Sequence, residues 1–213
     1  MSITPEFISE GIVESFLTAR SRQRDAISLY SNRQFPAAYI IATVAAEHVG
    51  RAMWLIRQWG KLMDNPETKI DAITFKKQLR DRGHVALLTD GRLSVSYRLP
   101  PALAERFDRV NDDPELKRRL DEFNDQQWKR APHRYHDTRE RAQYVNPSTA
   151  GQSWCSPQEI TSDETYQFVN DVGNNVNLLR LRLRAPELAA IVEAKGKMAE
   201  VTTSEDIWPR TRV

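Results

Sequence analysis

The segment Phe35 to Arg51, FPAAYIIATVAAEHVGR, restricts the fold more than any other part of the chain. From Phe35 to Ala46 it carries almost no polar side chain beyond Thr43, so it has no narrow apolar stripe and predicts a helix surrounded by other helices. Pro36 suits a first helical turn, where its missing N–H has no intrahelical acceptor, and Gly60 predicts the stop. Near its end the apolar run acquires Glu47, His48 and Arg51. Thr43, Glu47 and Arg51 share one stripe, so the spacing predicts a Glu47–Arg51 pair, with His48 about a quarter-turn away. Two readings stay open. One is an intrahelical ion pair worth a few tenths of a kcal/mol beside a satisfied histidine. The other is a polar site inside the bundle, because a buried carboxylate needs a partner or it neutralises.

The rest of the chain supplies the surrounding helices. Thr4-Pro5-Glu6 gives a cap, a first-position proline and a first-turn acid, and the apolar spacing from Ile8 to Tyr30 predicts one amphipathic helix ending at Ser31-Asn32. A third helix is expected over about Lys69 to Thr89, weakened at Gly83. Leu93 to Leu99 reads as a strand or extended loop, and a short helix carries Leu103, Phe107 and Val110. Asp113-Pro114-Glu115 opens a charged helix that Ala131-Pro132 interrupts. Thr161 to Glu164 is a capping box opening a helix with a Val169, Val172, Val176, Leu179, Leu183 seam, which must pack within the chain or on a partner. Pro186 to about Ala199 adds a last helix. The expectation is an all-α bundle in one domain over residues 1–200, with irregular regions around 90–100 and 143–160 and a tail over 201–213.

Composition narrows the function. Basic and acidic residues nearly cancel, 31 against 29, so no global field recruits nucleic acid or an anionic membrane. The longest apolar run is well short of the roughly 20 residues that span a bilayer, and no charged-then-apolar leader opens the chain, which points to the cytoplasm. The single cysteine, Cys155, permits no intramolecular disulfide. The histidines at 48, 84, 133 and 136 lack zinc-ligand spacing, so no metal and no cofactor is expected.

Three ordered pieces carry a resemblance. Ala45-Ala46-Glu47-His48-Val49-Gly50-Arg51 closes the central apolar helix; Phe75-Lys76-Lys77-Gln78-Leu79-Arg80-Asp81 precedes His84; and Ala142-Gln143-Tyr144-Val145-Asn146 precedes Trp154-Cys155-Ser156-Pro157-Gln158-Glu159-Ile160-Thr161. Together these resemble the AbiV-like abortive-infection family, in or near the HEPN helical superfamily. The resemblance implies a HEPN-like bundle and a phage-defence or toxin-like protein. It implies a binding or buried polar site of Glu47, His48, Arg51, Arg80 and His84. The function expected from it is arrest of growth or translation through binding of a phage or host protein. The alternative is a metal-independent ribonuclease, working as a homodimer on RNA. In many HEPN proteins an arginine and a histidine a few residues apart line a cleft between protomers; Arg130 and His136 fit that pattern, as phosphate clamp and proton-transfer group. A solvated basic loop is the other reading of that stretch.

Overall fold

Helix α1 (Pro5–Ser31) starts where local chemistry dictates. Thr4 Oγ1 accepts the Phe7 N–H at 3.3 Å, a proline fills the first turn, and Glu6 adds negative charge there. Ile8, Ile12, Phe16, Ala19 and Ala26 are buried along its inner stripe. Arg33 takes a left-handed φ of 60°; its N–H reaches the Tyr30 carbonyl and that of Gln34 reaches Leu29, both at 2.9 Å. This Schellman-type turn folds the chain back directly into α2.

Helix α2 (Phe35–Asp64) is the central element of this computed structural model, which describes residues 2–90, 114–147, 154–194 and 196–202. Ala38, Ala42, Ala45, Ala46 and Ala52 are fully excluded from solvent. Their small side chains leave room for α1 on one side and for α6, described below, on another. The helix does not stop at Gly60, as the sequence predicts, but continues to Asp64. Gly60 is not left-handed, and Trp59 and Leu62 remain buried against the bundle, so packing carries the helix one further turn.

Ser2–Ile3 (β1) pairs antiparallel with Ile70–Asp71 (β2), tying the start of the chain to the start of α3 (Ala72–Arg80). Asp71 caps α3 by accepting the Thr74 N–H at 2.8 Å. The single third helix expected over 69–89 is in fact two, broken at residues 81–83, with α4 at His84–Asp90. The break follows from packing. Phe75 of α3 buries against Trp54 of α2 at 5.2 Å between ring centroids, whereas α4, with Leu87 and Leu88 buried, packs against both α2 and the long helix that follows it, so the chain turns between the two at residues 81–83.

Helix α5 (Pro114–Gln143) runs unbroken through Pro132, correcting the interruption expected there. Leu116, Tyr135, Thr138 and Ala142 are buried along it, and this anchorage offsets the roughly 3 kcal/mol that an interior proline costs. The strand or loop at 93–99 and the short helix at 103–110 fall outside the described residues. Asn146–Pro147 (β3) and Trp154–Cys155 (β4) form a short antiparallel pair in the region expected to be irregular.

The capping box at Thr161 and Glu164 forms, and α6 (Ser162–Leu183) buries Val169, Val172, Val176, Leu179 and Leu183 against α1 and α2 of the same chain. Gln23 Nε2 donates to the Val169 carbonyl at 2.7 Å inside that contact. Helices α7 (Pro186–Ala194) and α8 (Met198–Thr202) close the bundle. Arg20, itself buried, donates to the Glu200 carbonyl, and Val201, expected to open a tail, is completely buried in α8.

Gly60 has open space where a Cβ would stand. Gly60→Ala is therefore expected to stabilise the protein by about 0.5–1 kcal/mol through helix propensity, read as a higher urea midpoint; a lower midpoint would mean that the helix stops there.

Candidate acid–base site

The break at Gly83 has a chemical consequence: it delivers His84 to the outer end of the stripe on α2 that carries Glu47. His84 Nδ1–H donates to Glu47 Oε1 at 2.6 Å, and Arg139 Nη1 of α5 lies 3.9 Å from the same oxygen. The Glu47 side chain is only 13% exposed, so its carboxylate has lost most of its water and takes these two groups as partners instead. His84 itself is 47% exposed. The His136 ring, one turn before Arg139 on α5, stacks on that of His84 with centroids 6.0 Å apart and planes inclined by 15°. His136 Nδ1 and Arg139 Nε are buried without hydrogen-bond partners. Three helices thus bring together a carboxylate, two imidazoles and a guanidinium.

That arrangement has the parts of a proton-transfer site. A carboxylate holding Nδ1–H fixes the His84 tautomer and leaves Nε2 as the basic nitrogen. A second imidazole beside it permits one base and one acid, and a guanidinium supplies fixed positive charge for an anionic intermediate.

The structure divides the residues singled out by sequence. Glu47, His84 and His136 come together. The Glu47–Arg51 pair does not form; Glu47 turns instead to His84 and Arg139, which a helical-spacing argument confined to α2 has no means of finding. His48 and Arg51 line a different space, a cavity of about 350 Å³ floored by Phe7, Leu55 and Phe75, where His48 Nδ1 and Arg51 Nε are buried and unbonded. Arg80 points to solvent and pairs with neighbouring Asp81 at 3.0 Å. Arg130 is exposed on another flank of α5 from His136, since six residues on an unbroken helix amount to about 240° of turn. Arg139 escaped the sequence reading, although it lies three residues after His136 on the same helical stretch beyond Pro132, which puts the two one turn apart.

The family model for AbiV, of the HEPN type, matches residues 7–176, well over half of the chain. The chain belongs to the HEPN AbiV family. No curated protein and no solved structure matches it. Membership puts the protein among abortive-infection, phage-defence proteins. The AbiV match runs from α1 into α6 and so includes Glu47, His84, His136 and Arg139, while α7 and α8 lie beyond it. Among the described residues no helix is long and apolar enough to cross a membrane.

His48 is held below the usual histidine range, chiefly because burial disfavours its charged form and secondarily through the positive charges of Arg51 and Arg22. A depressed folded-state value means that the unfolded chain binds the proton more readily. His48 therefore contributes stability that is present above the ordinary histidine pKa and lost as pH falls through its folded value. His48→Gln should lose less stability than the wild type between about pH 7 and about pH 5, measured by urea unfolding; parallel losses would refute the assignment.

Proposed function

We infer that this AbiV-family protein arrests infected cells by cutting RNA without a metal ion, with Glu47, His84, His136 and Arg139 as the working groups. The observation that supports the reading is the pair of imidazoles 6.0 Å apart, one of them oriented by a largely buried carboxylate. In this reading His84 Nε2 takes the proton from a ribose 2′-hydroxyl, and the 2′-oxygen attacks the adjacent phosphorus. The P–O5′ bond breaks and the leaving oxygen takes its proton from protonated His136, giving a 2′,3′-cyclic phosphate and a free 5′-hydroxyl. Arg139, held near Glu47, faces the negative charge that builds on the phosphoryl oxygens. The roles first read for Arg130 and His136 as a pair thus pass to His136 with His84 and Arg139.

The test is incubation of purified protein with RNA in a chelator, with end-group analysis. Cyclic phosphate ends are expected, and His84→Ala or His136→Ala should each lower the rate by about 10²–10⁴-fold with the helical circular-dichroism signal unchanged. Cleavage at wild-type rate in both variants would overturn the reading.

A second reading, arrest through a bound phage or host protein, draws support from Leu178 and Leu181, 57% and 55% exposed and three residues apart on α6. Growth arrest that persists in His136→Ala cells but is lost in Leu178→Ser/Leu181→Ser cells would favour it.

A further inference from the structure

The cavity of about 350 Å³ that His48 and Arg51 line takes no part in the acid–base cluster, although His48 follows Glu47 directly on α2. It lies between α1, α2 and α3, and its size falls within the range of small-molecule sites, about 300–1,000 Å³. The floor is apolar and braced. Phe75 makes a T-shaped contact with Phe7 at 6.3 Å and lies 5.2 Å from Trp54 between ring centroids, and Ile8, also in the lining, is fully buried. Gly11 lets the tip of Leu55 reach α1, since a Cβ there would stand 3.1 Å from Leu55 Cδ1.

The polar groups of the lining are sorted by sign. Helical spacing offers Arg51 the carboxylate of Glu47, but that group is spent on His84 at 2.6 Å, so the Arg51 charge is not neutralised from its own helix. Arg51 Nε, a donor only, is buried without a hydrogen-bond partner, and so is His48 Nδ1. On the solvent side stand Glu10 and Glu14, both exposed and one turn apart on α1. A guanidinium with a buried, unbonded N–H beside an apolar floor calls for a carboxylate, whose oxygens match its planar donors. Two carboxylates at the mouth call for a cation. One small molecule meets both demands only as a zwitterion, and the floor adds the requirement of an apolar side chain.

We propose that this cavity binds a free apolar amino acid, its carboxylate on Arg51 and His48, its ammonium toward Glu10 and Glu14, and its side chain on Leu55 and Phe75. The cavity holds none of the acid–base groups, so binding there is independent of whether the protein cuts RNA.

Calorimetric titration of the full chain with L-phenylalanine and with L-leucine tests it. Phenylalaninamide, which lacks the carboxylate, and 3-phenylpropionate, which lacks the ammonium, serve as comparisons. At least one of the two amino acids is expected to bind and to raise the urea midpoint. Each truncated probe should bind about tenfold more weakly or worse, as should the amino acid to Arg51→Gln, and Arg51→Lys should recover part of the loss. Glu10→Gln/Glu14→Gln changes exposed positions only and should also weaken the amino acid; it decides the outcome if Arg51→Gln fails to fold. No binding of either amino acid, affinity for a truncated probe equal to that for phenylalanine, or undiminished affinity in either variant would overturn the proposal. Absence of RNA cleavage would leave it standing.

Discussion

The first half of helix α2 is apolar on nearly every side, and a helix of that character is stable in water only when other helices cover it. Its alanines allow α1 and α6 to approach closely, while the bulkier Leu55 lies against Gly11 of α1, Tyr39 stacks on Phe168 of α6 and Trp54 packs on Phe75 of α3. The tight Schellman turn at Arg33 lays α1 against it, Gln23 then fixes α6 to α1, and Arg20 brings α8 down over the far end. The order of packing around α2 thus decides where every other helix can lie.

A desolvated helix also makes any charge on it expensive. Glu47 is the one carboxylate of the AAEHVGR ending, and it is mostly shielded from water. Its proximity to His84 and Arg139 compensates for the lost hydration and also couples three helices at one point. The acid–base cluster is in this sense a by-product of solving a solvation problem at the edge of the core, and the same shielding is what strengthens electrostatic effects on anything bound there.

Helix α5 presents different groups on its two sides. Its core-facing ridge of Tyr135, Thr138 and Ala142 separates His136 and Arg139 on one flank from Arg134 and Arg141 on the other, and its unbroken passage through Pro132 sets where Arg130 lies relative to them. A helix interrupted at Pro132, as the dipeptide alone implies, would leave the placement of Arg130 relative to His136 undefined.

The helices whose signals are local are legible in the amino-acid order alone. Thr4-Pro5, the Thr161–Glu164 box, and the three-four spacing of α1 and α6 act within one or two turns, where hydrogen-bond and side-chain reach coincide with sequence distance. That order also carries the family's three motifs, and it marks Glu47, His84 and His136 as residues of interest. Which side chains meet across helices came instead from packing. Glu47 leaves nearby Arg51 for His84, which is 37 residues away, and for Arg139, while helices α2 and α5 override Gly60 and Pro132. Burial and desolvation depend on neighbours distant in the chain, and they are large enough to outweigh the propensity of a single glycine or proline.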